Sequence, residues 1–249
     1  AMIEASEESG ALLMTAYRLH SEPATAKVIE MIQAGEIGEP RVYASTFSLQ
    51  SDPSNHRLLA EHWGGPLKDI GVYCLNAARH VFGAEPIEAH AITAGGNGDM
   101  RFSEVEATIA VTLRFPEDRV AQFVASFEGD DSDTYRVIGT KGVITVEHGF
   151  DFHFSPTVSV MKGQESHRVE VEDTDHFGAM VTYFSDCIQS GTAPVNDGAE
   201  GLADVRAMLA IEKAARTGQP QKIDTPPRPA HPSRETVRIV PRTDRRLVF

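Results

Sequence analysis

Two cysteines, no G-x-G-x-x-G run and no apolar stretch approaching ~20 residues: each shortage in these 249 residues excludes something. Cys74 and Cys187 cannot build a disulfide framework, and both fall on apolar helix faces, so they read as core thiols. Without a long apolar run or a signal-type N-terminus, no membrane span is expected. The cytoplasm is then the default expectation, with the periplasm the alternative if an export signal precedes Ala1. The nearest approach to a phosphate-cradling turn, Gly95-Gly96-Asn97-Gly98, sits between two strand-like runs and reads as a loop. None of the ten histidines falls in H-x-x-x-H, H-x-H or mixed Cys/His spacing, so no metal site is expected. The absence of a G-x-S-x-G elbow leaves a Ser-His-Asp hydrolase unsupported. A net charge of −13 argues against nucleic acid and anionic membranes as partners.

What is present reads as one well-cored domain with trimmings, 41% hydrophobic and 24% charged. Residues 1–10 read as a helix stopped by Gly10, and Ala11–Ala16 as a short buried strand. Glu22–Ala34 is expected to be helical, with Pro23 in its first turn and Gly35 after its end. Arg41–Gln50 alternates as a strand. After Gly83 the period changes from 3.6 to 2, giving strands at Ile87–Thr93, Val105–Phe115, Arg119–Phe127, Thr134–Ile138, Val143–Glu147, Thr157–Met161 and His167–Val171. Short links between them imply an antiparallel sheet. Two amphipathic helices follow, near Phe177–Gln189 and Ala199–Arg216. The expected fold class is α+β, an open, mostly antiparallel sheet with helices on one face.

The segment from Gly64 to Arg79 carries the chemistry. It opens on a glycine turn and reads as a helix from Pro66. Asp69 and Tyr73, four residues apart, then lie on one stripe about 6 Å apart along the axis, with Asn76 and His80 continuing it. Ile70, Cys74, Ala77 and Val81 form the anchoring apolar stripe. A carboxylate and a phenol presented together can orient and protonate a hydroxyl or carbonyl substrate. The plainer alternative is an Asp that satisfies backbone N–H groups near a helix start, with a half-buried Tyr beside it. Gly71, without a side chain, admits the close approach of a flat ring or sugar, or else serves helix packing. His56 and Arg57, in the preceding loop, are placed to reach polar substrate groups.

This stretch resembles the active-site motif of the Gfo/Idh/MocA oxidoreductases, and most of all their glucose–fructose oxidoreductase-like branch. Thr15-Ala16-Tyr17-Arg18-Leu19-His20 with Pro23, and Gly35-Glu36-Ile37-Gly38-Glu39-Pro40, resemble the crossover into the family's second domain. Asp175-His176-Phe177, Tyr183-Phe184 and Gly201-Leu202-Ala203-Asp204-Val205 resemble its closing helices. The similarity covers roughly residues 1–223. It implies hydride transfer between NAD or NADP and a carbon bearing a hydroxyl on a sugar or polyol. Tyr73 would exchange the hydroxyl proton and Asp69 would orient the substrate. Arg18, where the cleft begins, and Gly71 would meet the cofactor, and His56, Arg57 and Asn76 the substrate.

The resemblance further implies that residues 1–16 are the last helix and strand of a dinucleotide-binding domain. Residues 17–224 would form the substrate and oligomerisation domain, and 225–249 a Pro/Arg-rich arm. The family's Gly-rich turn and Glu-Lys-Pro signature are absent, so the cofactor site is expected to be incomplete and the chain inactive alone. The rival expectation is a non-catalytic sugar-binding or oligomerisation module. A homodimer or homotetramer is expected through the uncovered sheet face, on which Phe123, Ala125 and Phe127 are assigned. The arm carries six arginines against Glu235 and Asp244, and reads either as a disordered tail or as an arm lying across an acidic surface of its own or a neighbouring subunit.

Overall fold

A computed structural model describes residues 1–228 and 230–242. Its strands are β1 (Pro40–Ser48), β2 (Glu88–Ala94), β3 (Thr108–Phe115), β4 (Arg119–Ser126), β5 (Ser132–Gly139), β6 (Val143–Glu147), β7 (Thr157–Lys162), β8 (Glu165–Val169) and β9 (Gln221–Lys222). They form one open sheet in the order β8-β7-β6-β5-β1-β4-β3-β2-β9. Neighbours run antiparallel except β1 and β4, a parallel pair at the centre in which Ser45 lies beside Phe123. The architecture is the α+β open sheet that the change of period implies.

Alternation along the strands decides which face is covered. Tyr43, Ile109, Val111, Leu113, Ala121, Phe123, Ala125, Val137 and Ile144 are all buried, and their pairing register puts them on one face. Each large side chain there stabilises the fold by about 2 kcal/mol. Covering them are α2 (Pro23–Gln33), α3 (Val72–Phe82) and α5 (Gly198–Thr217), while α4 (His176–Ser190) packs on a tight turn at Arg18–Ser21. Side chains cap these helices: Glu22 accepts from Ala24 N and Thr25 N, Asp175 from Gly178 N, and Asp197 from Glu200 N.

This register corrects one expectation. Phe123, Ala125 and Phe127 point into the helices, at 2%, 0% and 1% exposure, and not onto the free face. A slip of one residue exchanges the two faces, and a strand buried on one side only is easily assigned to the wrong one. The free face instead carries Ala44, Thr46, Ala110, Thr112, Gln122 and Val124, which line a shallow concavity of about 690 Å³.

The N-terminal region brings a second correction. α1 (Met2–Ser9) ends at Gly10 in the left-handed region (φ 71°), but Ala11–Ala16 is no buried strand. It makes a single bridge, Met14 to Asp197, supported by Thr15 N donating to Asn196 O at 2.7 Å. The described residues offer it no strand to pair with, only the loop before α5. Both cysteine thiols are buried, and burial pushes Cys74 up to about 12.

Candidate active site

The glycine turn Gly64-Gly65 sets where the site begins. A Cβ at Gly64 would fall 2.3 Å from Arg57 O and 2.7 Å from Leu59 O, so only glycine lets the loop close on itself. Closure carries Arg57, on a short turn at His56–Leu58, back over the start of the site helix. That start is not α-helical: Leu67–Gly71 is a π turn, and the α-helix begins at Val72. The wider turn displaces Asp69 from the regular stripe and aims it at Arg57, whose Nε lies 2.6 Å from Asp69 Oδ1. Burial raises the Asp69 pKa, and Arg57 followed by His56 opposes that rise.

Tyr73 follows one turn later, half-buried against three neighbours. Its ring meets Phe47 edge-on at 5.7 Å between centroids, Phe150 at 6.3 Å, and the Arg18 guanidinium carbon at 4.9 Å. Among the described residues its hydroxyl has no hydrogen-bond partner, which leaves the phenol available. Tyr73 and Asp69 line one cavity of about 170 Å³ together with Tyr17, His20, Asn76 and Phe150. The cavity admits a ring-sized group and falls below the few hundred Å³ of ordinary ligand pockets.

The other expected site residues separate into those exposed on the preceding loop and those engaged inside the fold. Arg57 and His56 are exposed and off the cavity lining, Arg57 reaching it through Asp69 and the His56 ring lying 5.9 Å from that of His62. Arg18 is only 4% exposed. Its Nη1 donates to Asp151 O at 3.3 Å and to His176 Nδ1 at 2.8 Å, and its Nη2 to Phe150 O. That guanidinium holds the loop behind Tyr73 and is not free to meet a cofactor. Asn76 is likewise engaged, accepting from His20 Nε2 at 2.8 Å and donating to Glu200 Oε1 at 3.0 Å and Asp204 Oδ2 at 2.8 Å. Gly71 does not face the cavity: a Cβ there would sit 3.3 Å from Ala125 Cβ, so it serves close packing of the helix on β4. A sequence stripe cannot show this, because the π turn rotates everything upstream of Val72.

Beneath Asn76 lies a buried polar layer that spacing alone could not reveal. Arg79 bridges Glu85 (2.6 Å), Glu200 (2.7 Å) and Asp204 (2.8 Å), all within the core. His20, His80 and Glu200 cluster with ligand atoms within 4.8 Å of one another, though they are far apart in sequence. Glu200 already accepts from Arg79, Asn76 and His80, and the adjacent guanidinium repels a cation, so the cluster is a poor metal site. Because Asn76 Nδ2 faces two carboxylates, its oxygen must accept, which fixes the His20 proton on Nε2. Burial, with His80 next, pushes the His20 pKa down to about 3. Phe150 has no clear sequence signal, and nothing in the crossover motif that holds Tyr17 assigns it to the cavity. Phe150 lies in an irregular loop, and only the fold sets Tyr17 beside Asp204, which with burial raises its phenol.

Comparison with known proteins bears on the family and the fold. Residues 25–145 match the model of the GFO/IDH/MocA C-terminal domain. A D-xylose 1-dehydrogenase [NADP(+)] of Haloarcula marismortui is 30% identical over 230 residues, covering 90% of this chain and 63% of its own length. An aldose-aldose oxidoreductase from Caulobacter crescentus, solved with glycerol, superposes with a TM-score of 0.84 at 31% identity, covering 89% of this chain and 67% of that one. A 3-ketoreductase from Actinomadura kijaniata, solved with NADP and TDP-benzene, shares the fold at 24% identity and a TM-score of 0.77, covering 85% and 65%. The helix that carries Asp69 and Tyr73 thus belongs to a fold shared with these oxidoreductases. The chain belongs to the Gfo/Idh/MocA family, of whose relatives it spans about two thirds.

Proposed function

We propose that this chain is the substrate-side half of an NAD(P)-dependent oxidoreductase acting on a CH–OH group of a sugar or polyol. The observation that carries the reading is the unpartnered Tyr73 hydroxyl in the same cavity as the Asp69 carboxylate, on a helix locked against the sheet. Asp69 accepts from a substrate hydroxyl and, with Arg57, orients it. Tyr73 takes up the hydroxyl proton as a phenolate, or returns one as a phenol, and Phe47 and Phe150 hold the ring and exclude water. A nicotinamide, when bound, supplies or accepts the hydride.

The cavity fits a ring and not a whole dinucleotide, and a Cβ at Gly96 would strike Phe102 at 2.4 Å, so the Gly95–Gly98 loop is a packing turn. The described residues hold no further set of dinucleotide contacts, which supports a cofactor site that these residues fill only in part. The relatives named for D-xylose and for aldoses support a neutral sugar, and those named for or solved with NADP support that cofactor. The shallow free face of the sheet supports association as a homodimer or homotetramer.

The test supplies a family dinucleotide-binding domain ahead of Ala1 and assays a panel of sugars. Tyr73→Phe is expected to lower turnover by about two to four orders of magnitude, with substrate binding changed less. Unchanged turnover would reduce Tyr73 to packing.

A further inference from the structure

Residues 225–228 and 230–242 cross four elements, and each arginine among them meets a carboxylate. Arg228 reaches Asp197 at 2.8 Å and Glu200 at 2.7 Å, Arg234 reaches Glu30 at 3.2 Å, Arg238 reaches Asp186 at 2.6 Å, and Arg242 reaches Asp173 at 2.8 Å. Backbone contacts fix the register: Thr236 Oγ1 donates to His20 O, and Asp175 N donates to Val240 O at 2.8 Å. The outer ion pairs are exposed and contribute little each. His231 is different. Its Nδ1 lies 2.9 Å from Nδ1 of buried His80, whose Nε2 is 3.1 Å from Glu200 Oε1. Two ring nitrogens at that distance need one proton between them, and a second proton sets two donors face to face.

We propose that residues 225–228 and 230–242 are a strap that fixes the site helix from behind, latched by His231 on His80 and released when both rings are protonated. The coupling is a chain of contacts. Arg228 and His80 hold Glu200, and Glu200 with Asp204 holds Asn76 and Arg79 on α3, the helix that presents Tyr73. His231 is therefore a positioning residue that acts through His80.

The groups facing the latch come from every side. They are His80 and Arg79 on α3, His20 on the Arg18–Ser21 turn, Glu85 after α3, Glu200 and Asp204 on α5, and Arg228 on the strap itself. Burial, and then His80, lower the His231 pKa, while Glu200 and Glu85 oppose the shift. A group whose folded value is depressed contributes stability above its free value, near 6.5, and that contribution is lost as pH falls through the folded value. The latch is closed at neutral pH and opens in acid.

Hydrogen exchange of this chain at pH 7.5 and 5.0, read as protection factors corrected for intrinsic rates, tests the strap. In the unmodified chain, protection of 77–82 and 228–240 is expected to fall about tenfold or more in acid beyond any change in β3–β5. His231→Asn, which keeps a side-chain hydrogen bond but cannot titrate, should leave the protection of 77–82 relative to β3–β5 the same at both pH values. His231→Ala should leave 77–82 weakly protected at both. A His231→Asn chain with the unmodified pH response, or a His231→Ala chain with unmodified protection of 77–82, would overturn the proposal. If His231→Ala fails to fold, β3–β5 will lose protection too, and His231→Asn alone decides.

Discussion

The guanidinium carbon of Arg18 lies 4.9 Å from the centre of the Tyr73 ring, and Arg18 itself is 4% exposed. A buried cation survives there because its donors reach Phe150 O, Asp151 O and His176 Nδ1. Arginine can only donate, so His176 must present a bare Nδ1 and stay neutral. Burial, then Arg18, push the His176 pKa down to about 3.

Arg18→Ala would leave those acceptors without a donor and open space under the Tyr73 ring. Urea unfolding of this chain should show a loss of about 3 kcal/mol. Tyr73→Phe, which removes only an unpartnered hydroxyl, should shift the same curve by less than about 0.5 kcal/mol. Equal effects from the two would mean that Arg18 packs and does not clamp.

Acid should weaken the fold through the two histidines held neutral. His20 and His176 both titrate at about 3 when folded, against an unfolded value near 6.5. Between those values the unfolded chain binds the extra protons. Stability is full above the unfolded value and falls toward the folded one by about 1.4 kcal/mol per pH unit for each group. Unfolding free energy should therefore drop by about 3 kcal/mol from pH 6.5 to 5, and His20→Gln should roughly halve the slope. A flat profile over that range would show that neither ring is buried in the neutral form.

Strand periodicity and helix caps were legible because they are local. Val143–Glu147 follows from its alternation alone, and α4 and α5 start beside Asp175 and Asp197 and stop at glycines. Asp69 and Tyr73 were legible as a spacing and a family motif. The partners that decide their behaviour were not: Arg57 arrives through loop closure, Phe150 through an irregular link, and Arg18 through a crossing of about 130 residues. Periodicity shows that Phe123 and Ala125 share a face, but only the position of the helices shows which face that is.

The free sheet face sets a prediction about assembly. Val124 lies in β4 between Thr46 and Ala110 on the neighbouring strands, where a second sheet would pack closely on small side chains. Sedimentation at tens of micromolar is expected to give a dimer or tetramer, and Val124→Arg, which buries an unpaired charge in such a contact, a monomer. A monomeric unmodified chain would leave this face without a role in association.

The cavity itself sets the last expectation. At about 170 Å³, with Arg18, Asn76 and Gly71 all turned to internal contacts, the chain offers a dinucleotide little more than the Tyr73–Asp69 end of a site. The pyrophosphate normally rests on backbone N–H groups at a Gly-rich helix start, and the ribose on an acidic side chain beyond it. Neither arrangement is found among the described residues. A nicotinamide seated against Tyr73 would leave most of its dinucleotide in water, and the few contacts remaining cannot offset the loss of its freedom on binding. Calorimetric titration of this chain with NADPH and NADH, alone and with sugars present, should therefore detect no binding tighter than about millimolar. Micromolar binding would reveal a nucleotide site within these 249 residues and would transfer the whole reaction to this chain.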